Sequence, residues 1–363
     1  MTPIKNRVVV AMSGGVDSSV ALLRLVEEGY EAIGVTLKLW EYDGRNGSYC
    51  CSVEAINNAK IVCQSLGVPH YTLDYRNVFR ENVVNYLVGE YFSGRTPNPC
   101  IRCNSRVRWG ELFRHADLLR AHWMATGHYA QMDCSDAGRP VVKKGIDDRK
   151  DQSYVLWGIP TEALKRTLFP VGALTKEQVR RLAKEAGFVT AEIAESQEIC
   201  FIPNDDYREF LTEFDPERSS REESGEFVLL GGETLGSHHG ISKYTIGQRR
   251  GLGVTGPEAV YVQSIDSVTK KIVLAPRKEM FFDGCSVGEL NWLQDPWERR
   301  EIHVQIRYNH SGVSCRVQRS DNGTVTAEFE SPQFAVTPGQ SAVFYSHDEL
   351  LGGGIIQEGH IHG

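Results

Sequence analysis

No run in this 363-residue sequence approaches the roughly 20 consecutive apolar residues that cross a bilayer. The first apolar stretch, Val8 to Met12, is too short for a secretory leader, and its downstream flank is glycine-rich and charged. The expectation is a cytoplasmic protein with no membrane partner. A basic total is missing as well: 40 Lys and Arg stand against 47 Asp and Glu, a formal net charge of -7. Proteins that grip nucleic acid through its phosphates usually carry a positive balance. Any RNA contact must therefore use local basic patches, of which Arg102/Arg106/Arg108, Lys143/Lys144, Arg149/Lys150, Arg180/Arg181 and Arg249/Arg250 are the candidates. Each is equally a solvated face. Internal repeats and low-complexity tracts are absent. Nine cysteines, an odd number in a long chain, argue against a disulfide scaffold and for reactive or metal-binding thiols.

What is present reads first as alternation. The chain exceeds one ordinary core, so two or three domains are expected. Val8 to Met12 has the pattern of a buried strand. Val16, Val20 and Leu23 then recur at helical spacing until Gly29. Ala32 to Leu37 reads as a strand, Val53 to Leu66 as a helix, His70 to Leu73 as a strand and Val78 to Tyr91 as a helix. A further helix carries Leu112, Ala116 and Leu119, and Met124 to Tyr129 reads as a strand. This succession implies an α/β, doubly wound parallel sheet. Thr175 with Gln178 forms a capping-box pattern for a helix that Gly187 closes. From about Glu213 the texture changes. Pro216 to Glu223 reads as a charged loop, and a glycine-rich region follows. Beyond Val273 the chain alternates as β: Ile302, Val304, Ile306 and Tyr308; Val313, Cys315 and Val317; Val325, Ala327 and Phe329. Asp321-Asn322-Gly323 marks a hairpin, and a small closed barrel is the natural home for such strands.

Ser13-Gly14-Gly15-Val16-Asp17-Ser18 falls between a strand and a helix. Its glycines let backbone amides approach a ligand. Those amides, with the hydroxyls of Ser13, Ser18 and Ser19, sit where a helix N-terminus is electropositive and can hold phosphate with few lysines. The Gly-Lys-Ser/Thr ending of a Walker loop is missing, and so is a dinucleotide fingerprint. An aspartate inside a phosphate site makes sense if it faces Mg2+. The bland alternative is a tight turn with a capping serine.

Two cysteines stand out beside it. Cys103 lies in Asn98-Pro99-Cys100-Ile101-Arg102-Cys103-Asn104, expected at or just before a helix N-terminus and among Arg102, Arg106 and Arg108, which together stabilise a thiolate. Cys200 lies in Glu195-Ser196-Gln197-Glu198-Ile199-Cys200-Phe201; between Ile199 and Phe201 it is equally a core residue. Cys63, Cys134, Cys285 and Cys315 read as structural, and Cys50-Cys51 as a surface pair or a metal site.

The loop resembles that of the ATP-pyrophosphatase superfamily, whose members cleave ATP between its α- and β-phosphates and adenylate a substrate oxygen. Together with both cysteine segments it resembles the bacterial tRNA-specific 2-thiouridylases over nearly the whole chain. Other matching pieces are Thr96-Pro97-Asn98-Pro99, Ala125-Thr126-Gly127-His128-Tyr129-Ala130, Lys150-Asp151-Gln152-Ser153-Tyr154 and Tyr244 to Gly253. The resemblance implies an ATP-pyrophosphatase domain over 1–205, a small central tRNA-binding domain over 206–275 and a C-terminal β-barrel over 276–363 that also binds tRNA.

It also implies a reaction. AMP is placed on the C2 oxygen of the wobble uridine of tRNAs for Lys, Glu and Gln. Sulfur then arrives from a persulfide on Cys200, with Cys103 as the nucleophile that helps to release it. A sulfur-relay protein or a cysteine desulfurase supplies the persulfide. ATP would touch Ala11, Met12, Ser13, Gly14, Gly15, Val16, Asp17, Ser18, Leu37 and Gly127. The target base would lie against Asn98, Pro99 and Cys100. The tRNA would also meet His128, Lys150, Asp151, Gln152, Arg307, Tyr308 and Gln340. In one departure, Cys100 stands where some members have Asp. Cys100, Cys103 and Cys200 could then hold a 4Fe-4S cluster with one iron open; otherwise Cys100 is a spectator. Two rival readings remain. One is an amidotransferase-type synthetase, which has no use for the thiol pair. The other is a non-catalytic RNA-binding protein with structural ATP, which leaves the pair unexplained.

Overall fold

Val8, Val9 and Val10 are each fully buried, and this β-branched run forms the middle of strand β1 (Ile4–Ala11), covered on both faces as central parallel strands are. After β1 come β2 (Glu31–Lys38), β3 (His70–Asp74) and β4 (Ala121–Ala125). A hairpin, β5 (Ala130–Cys134) and β6 (Pro140–Lys144), and the short β7 (Thr167–Leu168) complete this part. The structure is a computed structural model that describes residues 3–41, 52–135, 138–194, 199–254, 258–299, 301–320 and 323–361. The Cys50-Cys51 pair, Glu195 to Glu198 and the Asp321-Asn322 turn pair of the sequence reading lie outside these residues.

The chain forms two units. The first comprises Met1–Val83, Cys100–Asp205 and Asp348–Leu350. Its sheet has the order β3-β2-β1-β4-β7, with every pairing parallel. The chain runs outward from β1 to β3 and then returns to β1's other side as β4. That reversal is the point in a doubly wound sheet where ligands bind, outside the carboxyl ends of the strands. Val8, Val10 and Met12 share a core with α1 (Val16–Glu27), α2 (Val53–Ser65) and the helix Lys176–Glu185. Val9 faces the opposite side by the two-residue period of the pleat. The expected capping box is present: Thr175 Oγ1 accepts from Gln178 N at 3.3 Å, and Gln178 Oε1 accepts from Thr175 N at 2.7 Å.

Two boundaries differ from the sequence reading. The strand expected over Met124 to Tyr129 is β4, which ends at Ala125; Thr126 to Tyr129 is the turn leaving it. The helix expected after Cys103 begins at Pro99, whose fixed φ suits a first helical position. Cys103 is therefore one turn inside, where a segment of wide, π-type turns starts and runs to Leu112. Cys100, not Cys103, stands in the helix's first turn.

The second unit comprises Val84–Pro99, Asp206–His347 and Leu351–Gly363. The stretch from Pro216, expected as a loop, opens with a short helix, Pro216–Ser220, capped by Asp215. Strands β8 (Ser224–Leu229), β9 (Thr234–His239), β10 (Val260–Ile265) and β11 (Ile272–Pro276) form a sheet in the order β10-β11-β8-β9 over a core of Phe227, Ile241, Val262 and Leu274. Then follow β12 (Phe281–Trp292), β13 (His303–Gln305), β14 (Val313–Arg319), β15 (Val325–Phe334), β16 (Ser341–Ser346) and β17 (Glu349–His360). Because β12 pairs with both β15 and β17, these strands close into the barrel that the alternation predicts. Val287, Val304, Val325, Ala327, Phe344 and Ile356 fill it. The alternation fails at one place. Beyond Gln305 the chain leaves the strand for a turn, closed by His310 N donating to Arg307 O at 3.1 Å, so Tyr308 stands exposed outside the ladder.

Candidate active site

At the reversal, the exit of β1 meets the exit of β4. Met12 N still bonds Val35 O at 2.8 Å, and then the chain turns through Ser13-Gly14-Gly15 into α1. Gly14 has φ +78°, and a side chain there would collide with the Ala55 carbonyl of α2. Gly127, just past β4, is packed so that a Cβ would lie 2.7 Å from Asp17 C and Ser18 N. Only glycine allows the two exits to touch, and their contact shapes the crevice at the N-terminus of α1. No side chain caps that terminus, so its amides are left for a ligand or water.

The three serines divide. Ser13 is exposed, and its hydroxyl lies 3.4 Å from Gly15 N and 3.2 Å from Ser18 Oγ. Ser18 is buried; its Oγ donates to Gly15 O at 3.1 Å and accepts from Ser13 N at 3.2 Å. Ser19, grouped with them in the sequence reading, points away: it is fully buried, donating to Gly15 O at 2.9 Å and accepting from Thr190 Oγ1 at 3.0 Å. Ser19 thus ties α1 to the core rather than facing the loop. Leu37 sits buried near the carboxyl end of β2, and Ala11 ends β1.

Asp17 is the charged residue of the loop. Lys176 Nζ donates to both of its oxygens, at 2.7 and 2.9 Å, and Tyr129 OH donates to Oδ1 at 2.7 Å. Sequence reading missed Lys176 and Tyr129. Lys176 lies 159 positions from Asp17, and the capping box that placed it on a helix said nothing of what its side chain reaches.

Beside the loop, His128 is 9% exposed, with Nδ1 2.7 Å from Thr126 Oγ1 and Nε2 3.4 Å from Arg108 Nη1. Burial, helped by the Arg108 charge, pushes its pKa down to about 3, so the ring is neutral. Arg108 Nη1 also donates to Asn104 Oδ1 at 2.8 Å, and Asn104 Nδ2 donates to Val155 O at 3.0 Å. Polar bonds therefore run from the residue after Cys103 to the turn that holds Gly127. Cys103 itself is buried, Cys100 is exposed and Cys200 is half-buried. Next to Cys200, Phe201 packs on Phe79 and Trp40 with ring centroids 5.2 and 6.1 Å apart. Cys103 and Cys200 belong to the same unit.

Among the described residues no group of three or more His, Cys, Asp and Glu side chains is arranged to hold a metal ion. Cys100, Cys103 and Cys200, all described, form no such group, so nothing in the structure supports the 4Fe-4S reading of these three thiols.

The expected RNA-facing residues are occupied locally. Asp151 accepts from Gly145 N, Ser153 N and Ser153 Oγ at 3.0, 3.1 and 2.8 Å; burial nonetheless pushes its carboxyl above the usual range. Gln152 clasps Tyr129, its Oε1 accepting from Tyr129 N at 3.0 Å and its own N donating to Tyr129 O at 2.9 Å. Lys150 is half-buried, whereas the Arg149 side chain is 93% exposed. In the second unit, Gln340 Nε2 donates to Thr96 O at 2.9 Å, and Thr96 N donates to Pro338 O at 3.0 Å. The barrel thereby holds the Thr96-Pro97-Asn98-Pro99 loop, in which both prolines are buried and Asn98 is half-buried. Arg307 Nη1 donates to Phe334 O at 3.2 Å, and Tyr308 is 42% exposed. Of the basic patches, Arg180 is spent on the Ala191 and Ile193 carbonyls and Lys143 on Asp133, while Arg106, Arg249 and Arg250 are exposed.

A family model described as tRNA methyl transferase HUP domain matches residues 6–204. One described as tRNA methyl transferase PRC-barrel domain matches 209–276, and an aminomethyltransferase beta-barrel domain model matches 282–356. The tRNA-specific 2-thiouridylase MnmA of Carboxydothermus hydrogenoformans is 44% identical over 361 residues, covering 98% of this chain and 98% of that protein. That of Salinibacter ruber is 43% identical over 363 residues, covering 98% and 95%. Among solved structures, the NMN synthetase of Francisella tularensis covers 59% of this chain and 78% of its own at 18% identity and a TM-score of 0.33, too slight a likeness to argue from. On the extent of these matches, the chain belongs to the tRNA-specific 2-thiouridylase family.

Proposed function

We propose that this protein is an ATP-dependent tRNA uridine 2-sulfurtransferase acting on the wobble uridine of tRNAs for Lys, Glu and Gln. The observation that carries the proposal is the amide-lined crevice at the reversal of the parallel sheet, where Gly127 packs against the Ser13–Ser18 loop in the unit that also holds Cys103 and Cys200.

The C2 carbonyl of uridine is a poor electrophile. Its oxygen attacks the α-phosphorus of ATP, pyrophosphate leaves, and the oxygen becomes part of an AMP leaving group. The loop amides at the start of α1 hold the phosphate oxygens and stabilise the charge that develops on them. Asp17 is the loop carboxylate that could hold Mg2+, which would supply neutralisation of phosphate charge. A persulfide on Cys200 carries the incoming sulfur. Cys103 attacks the inner sulfur, the outer one is released to C2, AMP departs, and a Cys103–Cys200 disulfide remains. Two electrons from an external thiol reset the pair, and a relay protein or cysteine desulfurase reloads Cys200. The buried setting of Cys103 shields that exchange from bulk oxidants. Asn98 and Pro99 would receive the base, on a loop that Gln340 holds, with Lys150, Arg307 and Tyr308 toward the RNA. Residues 1–205, 206–275 and 276–363 would serve as catalytic, central and barrel domains.

Mass spectrometry of wobble nucleosides from a deletion strain tests the activity: 2-thiouridine derivatives should vanish and return with the gene. Cys200→Ser should abolish sulfur transfer while ATP still binds. Thiolation surviving in that variant would remove Cys200 from the role of carrier.

A further inference from the structure

The loop Ser13 to Ser18 contains no Lys or Arg, yet a triphosphate brings several negative charges beside Asp17. The cation that the structure sets on this loop comes from elsewhere in the same unit. Lys176 is the first residue of the helix Lys176–Glu185, and three contacts fix its backbone and its charged end. Its N–H donates to Asp147 Oδ2 at 3.1 Å, the Thr175/Gln178 capping box secures the turn, and its ammonium passes over the Tyr129 ring at 5.6 Å from the centroid. Gln152 in turn fixes Tyr129 through two bonds to the Tyr129 main chain, one from its side chain and one from its own N–H. The Lys176 side chain is 12% exposed and ends on the Asp17 carboxylate. So much scaffolding around a mobile four-carbon side chain defines a position, not merely a charge.

Building on the proposed ATP chemistry, we propose that Lys176 is the phosphate-compensating lysine of this loop. It would neutralise Asp17 in the free protein and pass to the β- and γ-phosphate oxygens, the pyrophosphate leaving group, when ATP binds. Asp17 then becomes available to the divalent cation that accompanies the nucleotide. The exchange keeps charge balanced in both states: one ammonium serves one carboxylate without ligand, and the polyphosphate with it. A lysine supplied from a distant helix explains how the loop dispenses with the lysine of a Walker motif. It also makes the site selective for a polyphosphate over a monophosphate, because AMP has no oxygens at the β and γ positions.

The test compares wild type, Lys176→Met, Asp17→Asn and the Asp17→Asn/Lys176→Met double variant in binding pyrophosphate and AMP by calorimetry, with ATP binding to wild type as reference. Losing a charge-assisted phosphate contact should weaken pyrophosphate binding at least about tenfold in Lys176→Met, with AMP binding little changed. The double variant should be weaker than Asp17→Asn by a similar factor. Neither of those two proteins retains the ion pair, so their difference reports the contact of Lys176 with ligand, even if Lys176→Met alone fails to fold. Equal pyrophosphate affinity in Asp17→Asn and the double variant would overturn the proposal and reduce Lys176 to a prop for Asp17. Wild type that binds neither ATP nor pyrophosphate would instead overturn the functional reading, and this inference with it.

Discussion

The crevice of the first unit and the turns of the barrel present two kinds of functional surface. In the crevice, chemistry-bearing groups are buried or half-buried and matched to one another: Asp17 to Lys176 and Tyr129, His128 to Thr126 and Arg108. On the barrel, Arg307 and Gln340 give hydrogen bonds to backbone carbonyls, and Tyr308 is partly exposed. A buried polar network carries large penalties if broken, whereas a surface contact costs little and is screened by salt. On the proposed function, the difference teaches that substitutions in the crevice should act steeply and on nucleotide, and those on the barrel shallowly and on RNA.

The steepest break should come at Gly127. In Gly127→Val the added side chain meets the Asp17 and Ser18 backbone, and overpacking of that kind costs about 1–3 kcal/mol or more. ATP binding measured by calorimetry should fall by about two orders of magnitude while barrel substitutions leave it unchanged; retained affinity would mean that the two exits are not rigidly matched. Next is acid sensitivity. His128 is held near pKa 3 in the fold against about 6.5 when unfolded, so the unfolded chain binds the extra proton between those values. Its contribution is complete above pH 6.5 and is lost as pH falls toward 3, at up to about 1.4 kcal/mol per pH unit. Denaturant titrations from pH 7 to 4 should show a shallower decline for His128→Gln than for wild type; parallel curves would take the burden away from this ring.

Gln340→Ala removes one bond to Thr96, worth about 1 kcal/mol. It should raise the KM for tRNA severalfold and leave that for ATP alone; an equal effect on both would erase the contrast between the two surfaces. Arg307→Ala should have the smallest effect, weakening RNA binding modestly and lowering the salt slope of the affinity by about one.

The parallel sheet was legible because short apolar strands and amphipathic helices alternate along 8–125, and the barrel because its strands keep a period of two. The turn from β1 into α1 was legible because two glycines fall between a strand pattern and a helix pattern. What escaped reading depends on distance in sequence or on local backbone detail. Nothing near Lys176 announces Asp17, and nothing near Thr96 announces Gln340. Cys103 was expected at or just before its helix's N-terminus, but the proline that starts the helix stands four residues earlier, and the wide turns that follow leave no hydrophobic period to read. Ser19 looked like its neighbours Ser13 and Ser18, but helical rotation turns it from the crevice toward Thr190.

The closure of β12 onto β17 has a consequence for evolvability. Pairing on both sides of β12 leaves, among the described residues, no row of spare amides at this seam onto which another extended chain could zip. On the proposed function, recognition by this barrel falls to its outward side chains and to the loops at its ends. Those loops can be lengthened, shortened or recharged to suit a different nucleic-acid contour while the wall that carries them stays the same.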